Sequence, residues 1–305
     1  MDTIQKSLLE KLTDLHEIPE GAYNIRANGS LGARNTTANI DIVSKNDKDG
    51  IDIIIKPNTK NESVHIPVII SKTGIDDLVY NDFYIGENAD VTIVAGCGIH
   101  NTGDQKSSHD GIHTFHVGKN AKIKYVERHY GQGEGIGENV MNPKTVIEID
   151  DGGYMEMETT QIKGIDSTER ITEAKLGNEA KLVIRESLMT HGKQYAKTDF
   201  TVELNGENSS ANVVSRSVAK DKSYQVFYSN IKGNNKCAGH TECDAIIMDE
   251  AKVCAIPEIT ANHIDASLIH EAAIGKIAGE QLMKLMTLGL TEQEAEEQIV
   301  NGFLK

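Results

Sequence analysis

Three cysteines fall within 18 residues: Cys237 and Cys243 in Cys237-Ala238-Gly239-His240-Thr241-Glu242-Cys243-Asp244, and then Cys254. A thiol beside an imidazole such as His240 can ionise and act as a soft ligand for iron or an acceptor of sulfur. The spacing, Cys-x5-Cys then Cys-x10-Cys, fits no structural zinc template, all of which use close pairs. It also lacks the Cys-x2-Cys runs of ferredoxins. The plain alternative is packing, because free cysteine is among the most buried residue types. A second stretch, Ala261-Asn262-His263-Ile264-Asp265-Ala266-Ser267-Leu268-Ile269-His270-Glu271, offers His263 and the adjacent pair His270 and Glu271. His270-Glu271 begins like a zinc-protease HExxH helix, but position 274 is Ile274, so the second imidazole is missing. Both side chains can bind iron, yet neighbours in a strand point to opposite faces unless the chain bends. A third group, His100, His109, His113 and His116, lies near Cys97, with Glu127 and His129 downstream. Four imidazoles in a glycine-rich segment could hold a metal in a cupin-type oxygenase or isomerase, or simply occupy turns.

Several functions are disfavoured. Ala273-Ile274-Gly275-Lys276-Ile277 contains Gly-Lys with no Ser or Thr after it and no glycine at the upstream spacing, so there is no P-loop. No nucleotide is expected on this chain; if its process uses ATP, another chain binds it. The formal charge of −15 repels phosphate backbones and argues against nucleic acid. No apolar run approaches the ~18 residues of a membrane helix, and the first 16 residues have no signal-peptide core. A cytoplasmic protein is expected, with Cys97, Cys237, Cys243 and Cys254 as reduced thiols.

The elements that must position these groups are mainly strands. Thr3 to His16 reads as a helix, with Ile4, Leu8, Leu12 and Leu15 on one face and Pro19 and Gly21 ending it. Alternation follows in Ile51–Ile55 and Val64–Ile70. From about residue 80 one phrase recurs: an aliphatic residue, a turn rich in Gly, Asn and Asp, then alternating strand. Its copies begin at Ile85, Val117, Ile149, Leu176 and Leu204, which lie 32, 32, 27 and 28 positions apart. Such a period without helical patterning predicts a coiled array of strands, each coil burying its neighbour's face. Propeller blades would be more uniform; a β-sandwich or cupin-like barrel is the other way to use these strands. The C-terminus turns helical from about Ala278 to Thr287, with Gly289 as a stop. Thr291-Glu292-Gln293-Glu294 then reads as a capping box before a second helix to about Asn301. These helices either cap the open end of the array or dock a partner. The expected layout is an N-terminal helix and lead-in over 1–30, a β-helix core over 31–265, and a C-terminal helical domain over 266–305.

Several separated phrases resemble the C-terminal core of the SufB and SufD proteins of iron–sulfur cluster assembly. They are His240-Thr241-Glu242-Cys243-Asp244-Ala245-Ile246-Ile247, Ile256-Pro257-Glu258-Ile259 and His270-Glu271-Ala272. The tail adds Glu280-Gln281-Leu282, Gly289-Leu290-Thr291-Glu292-Gln293-Glu294-Ala295 and Ile299-Val300-Asn301-Gly302-Phe303. The likeness is close over about 176–305 and looser before. Gly21-Ala22-Tyr23-Asn24-Ile25-Arg26 and the His-rich segment resemble the short archaeal-type members. The resemblance implies a right-handed parallel β-helix whose helical C-terminal domain binds SufC, an ABC-type ATPase. It further implies a scaffold, not an enzyme, that pairs along β-helix edges and assembles a transient iron–sulfur cluster at that interface. Cys243 matches the SufB-type cysteine, Glu271 the SufB-type glutamate, and His270 the histidine that SufD-type partners contribute. One chain carrying both halves favours a homodimer over pairing with a paralogue. Cys237, His240, Cys254 and His263 are weaker ligand candidates. The second, sulfur-relaying thiol of longer SufB proteins has no cysteine at the matching rung, near Glu148.

Overall fold

The computed structural model describes residues 3–13, 19 and 21–305. Its body is a parallel β-solenoid flattened into two sheets, between which the chain alternates. Sheet A stacks the strands Ala22–Ala27, Lys60–Ile70, Asp90–His100, Lys122–Gln132, Tyr154–Lys163, Lys181–Thr190, Ser210–Ala219, Ala238–Ile247 and Ser267–Gly275, with Ser30–Asn35 at its edge. Sheet B stacks the strands between them and ends at Lys252–Ala261. The repeated phrase is the coil itself. Ile85, Val117, Ile149, Leu176 and Leu204 are consecutive register partners in sheet B, and the series continues through Gly233 to Ala261. The shorter step after Ile149 follows a coil whose sheet-B portion is broken into Asn139–Met141 and Lys144–Ile149.

Each phrase's turn places one residue in the left-handed region, and these residues stack: Asn58, Asn88, Asn120, Gly152, Glu179 and Asn208 have φ between 54° and 70°. The amide of each donates to a carbonyl in the next turn, as from Asn88 to Lys119 and from Asn120 to Asp151. Asparagine and glycine tolerate this conformation at low cost, which is why the turns carry them. Between the sheets, one aliphatic ladder runs the length of the body, with Phe83 stacked on Phe115 at 4.3 Å. Helix α1 (Thr3–Thr13) lies on the outer face of sheet A. Leu8 and Leu12 are buried there, and a Cβ at Gly98 would come within 3.1 Å of Leu8 Cδ2. Residues 14–16 of the anticipated helix, Leu15 among them, lie outside the described residues.

The two ends of the solenoid differ. At the N-terminal end, the described strands finish in antiparallel pairs, Ala22–Ala27 with Ser30–Asn35 and Ile40–Ser44 with Gly50–Ile55. At the other end the strands run on to Gly275, ten residues into the segment anticipated as helical. Helices α2 (Gly279–Thr287) and α3 (Glu292–Phe303) follow. The Thr291–Glu294 capping box is formed, and Gly289 takes a positive φ of 99°. Neither helix caps the open end. Val300 and Leu304 instead pack with Val218, against Met189, Ile246 and Met248, on the flank of sheet A. The last coil stays exposed, and α2 buries none of its residues.

Candidate functional site

The strands Ala238–Ile247 and Ser267–Gly275 pair in parallel at the open end, with Thr241 opposite His270, Glu242 opposite Glu271 and Cys243 opposite Ala272. Strand alternation sorts these side chains. Cys243 points inward, only 1% exposed and part of the main core. His270 shares that inner face, its Nδ1 2.6 Å from the Thr241 hydroxyl and its Nε2 buried without a hydrogen-bond partner. Glu271 points outward, beside Glu242 and His240; the His240 Nε2 lies 3.6 Å from its carboxylate. The chain does not bend, so of the three resemblance-derived candidates two face the interior and one the outer surface.

The electrostatics follow from this sorting. Burial, then the carboxylates of Glu186 and Asp244, push the Cys243 thiol up to about 12. At neutral pH it is protonated. The imidazole expected to ionise it, His240, is on the other side of the sheet. Burial, with His240 adding to it, lowers His270, which leaves that ring neutral and its nitrogen available as a ligand.

Behind Cys243 runs an inner ladder that the sequence reading passed over. Its register partners in successive coils of sheet A are Ser215, Glu186, Thr159 and Glu127, all buried. Ser215 donates to Glu186 at 2.7 Å, as does Thr198 at 2.9 Å. Arg170, reaching across from sheet B, bonds Glu127 and lies 3.6 Å from Glu186. Counting back by twos from the inward Leu176 gives Ala174, Thr172 and Arg170, so parity alone marks this arginine as internal. Cys97 is wholly buried near the far end of the solenoid, on the adjacent ladder through His129, Gln161, Leu188 and Ser217 to Ala245. The rung at Glu148 faces outward on sheet B, where it pairs with His116.

The four-histidine metal set does not assemble. His109 and His113 share a parity and point inward, where the His109 Nδ1 meets Asp77 at 3.1 Å and the His113 Nδ1 meets the Tyr125 hydroxyl at 2.8 Å. His116, of opposite parity, stacks outside on Tyr84 and meets Glu148 at 2.9 Å. His100 sits on the other sheet. The inner pair instead joins Cys97, Glu127 and His129 around a cavity of about 10 Å³, the size of a single water. Of the weaker candidates, Cys237 packs in the core and its thiol is raised by burial. Cys254 is half-buried in the last strand of sheet B, in register with Val226. His263 accepts the Asp265 amide in a turn. His240 alone of these lies beside a principal candidate.

The family model for the SufBD core domain of SUF-system FeS cluster assembly matches residues 80–303. Iron–sulfur cluster assembly SufBD family proteins from two strains of Methanothermobacter thermautotrophicus are 32% and 34% identical over 78% and 72% of this chain. The matched stretches span 57% and 53% of those longer proteins. A counterpart from Methanocaldococcus jannaschii is 30% identical over 79% of this chain and 76% of its own. A solenoid of this period, with the Cys243 and His270-Glu271 phrases in order at its end, and a family match over most of its length, place this chain in the SufBD family of iron–sulfur cluster assembly proteins.

Proposed function

We propose that this chain is the scaffold on which a transient iron–sulfur cluster is assembled, at an interface made by the open end of its solenoid with a second copy or a SufB/SufD-type paralogue. The observation that carries this reading is the uncovered last coil next to Cys243 and His270. Its strands Lys252–Ala261 and Ser267–Gly275 leave backbone edges free, and a free edge is a template for pairing with another chain. Pairing there would bring two copies of the inner Cys243–His270 face together. Iron and sulfide are the cargo. The thiol of Cys243 supplies the soft ligand once a cation displaces its proton, and the neutral His270 ring supplies the borderline one. Glu271, on the outer face, serves a different step from Cys243. ATP-driven work belongs to the partner ATPase SufC, docked on the exposed side of α2. The domains then divide as a lead-in, a β-helix core that presents the ligands, and a helical segment that receives the ATPase.

The test is anaerobic reconstitution of the chain co-expressed with the ATPase, read by absorption and by bound iron and sulfide. Cys243→Ser is expected to remove most of the cluster while leaving the complex mass unchanged. An undiminished cluster in that variant sinks the ligand assignment.

A further inference from the structure

Within the assembly reading, iron and sulfide must both be held, and the outer face of the terminal coil carries a donor set unlike the inner one. His240 and Glu242 are two residues apart in Ala238–Ile247 and so lie on one face. Glu271 faces Glu242 directly across the parallel pair. Among the described residues, these three form a group in which one ligand atom from each lies within 4.8 Å of the others. The Nδ1 of His240 is 2.8 Å from the side-chain oxygen of Asn212, its register partner in the preceding coil. An amide oxygen only accepts, so the proton sits on Nδ1, and the Nε2 lone pair is turned toward Glu271. A hydrogen bond of this kind to the far ring nitrogen is how metal-binding imidazoles are oriented.

The site is also electrostatically incomplete. Two carboxylates directly opposite in a sheet repel, and Asp244 adds a third two residues along, facing Arg216 in the preceding coil. Burial together with a hydrogen bond to Asp244 raises Glu242 above the ordinary carboxylate range. Glu271 is exposed, so an ion from solution reaches the group without the solenoid opening.

We propose that His240, Glu242 and Glu271 bind one divalent transition-metal ion of the Fe2+ class on the outer face of sheet A, oriented by Asn212 and separated by the sheet from the Cys243–His270 face. One imidazole and two carboxylates suit Fe2+, Mn2+ or Co2+ better than a thiolate-rich site would. The binding site stands on its own geometry; its role in holding iron for the cluster rests on the assembly reading.

The experiment is anaerobic calorimetric titration of the full chain with Mn2+ and with Co2+, the cobalt absorption being recorded in parallel. One equivalent of Mn2+ is expected to bind, and Cys243→Ser is expected to keep a cobalt spectrum of imidazole and carboxylate ligation. His240→Ala and Glu242→Gln each weaken binding by roughly 10- to 100-fold, and Asn212→Ala weakens it by about 10-fold through loss of ring orientation. Cys243→Ser leaves it unchanged. Melting curves that match the parent's exclude misfolding of these surface variants. No saturable binding, or unchanged affinity in His240→Ala, would reduce the trio to a plain His–Glu ion pair and overturn the proposal. So would loss of binding in Cys243→Ser. The outer site can fail while cluster yield still depends on Cys243, or persist while cluster yield ignores Cys243, so the two proposals fall separately.

Discussion

A buried imidazole stays neutral where desolvation outweighs the pull of its charged neighbours, and two in this interior carry a consequence for stability. His113 is lowered to about 4 and His129 to about 3, in both cases chiefly by burial, against which Glu127 pulls upward. In the unfolded chain each regains a value near 6.5. Below pH 6.5 the unfolded chain therefore takes up protons that the folded chain refuses, so stability falls as pH drops toward 4. The slope is about 1.4 kcal/mol per pH unit for each histidine. Glu127 and Asp77, both lowered to about 2 despite burial, the first by His129 and Arg170 and the second by His109 and Arg26, extend the same trend below pH 4.5. Urea melts between pH 7 and 4 should show this loss, and His129→Gln should flatten the slope by one histidine's share. A slope unchanged by that substitution would mean the ring is already charged in the fold.

Helix α3 is held and α2 is not. Ala295 and Val300 are buried and Leu304 closes against Val218, while its carbonyl accepts the Ser187 hydroxyl at 2.9 Å. α2 instead presents Met283 at 61% and the following Leu288 at 77% exposure. Flexible methionines on an uncovered helix suit an adaptable protein contact. If the ATPase docks there, Met283→Asp should abolish its co-purification without shifting the melting temperature, since that side chain joins no core cluster among the described residues. Retention of the ATPase would move the docking surface off α2.

At the scale of the whole molecule, the solenoid is a core cut open at one end. Ile259 is the register partner of Ile231, which is buried at 2%, yet Ile259 is 45% exposed because no coil stacks beyond it. Covering such a side chain is worth about 1.5–3 kcal/mol. A second solenoid docked end to end or edge to edge would recover this for Ile259 and Ile274 together. The chain is expected to sediment as a dimer, and Ile259→Glu as a monomer with an unchanged far-UV spectrum. A dimer that survives the buried charge would place the interface elsewhere.

The residue order by itself determined the coils. Ile85, Val117, Ile149, Leu176 and Leu204 stack because aliphatic, turn and strand recur at coil length. The Thr291–Glu294 box formed because capping is a contact within one helical turn. Local patterns are legible because their partners are near in the chain. The candidate site was legible in its residues but not in its geometry. Alternation already allowed His270 and Glu271 to be on opposite faces, yet which face was the interior depended on the neighbouring coils. The same holds for His109 and His116, seven residues apart and of opposite parity. Only the tertiary structure placed Glu242 against Glu271 and drew Arg170 to Glu127 and Glu186, because these contacts join coils 29, 43 and 16 residues apart in sequence. It alone left the last coil uncovered, since whether helices cap an end or lie along a flank is decided by which apolar surfaces the finished solenoid offers them.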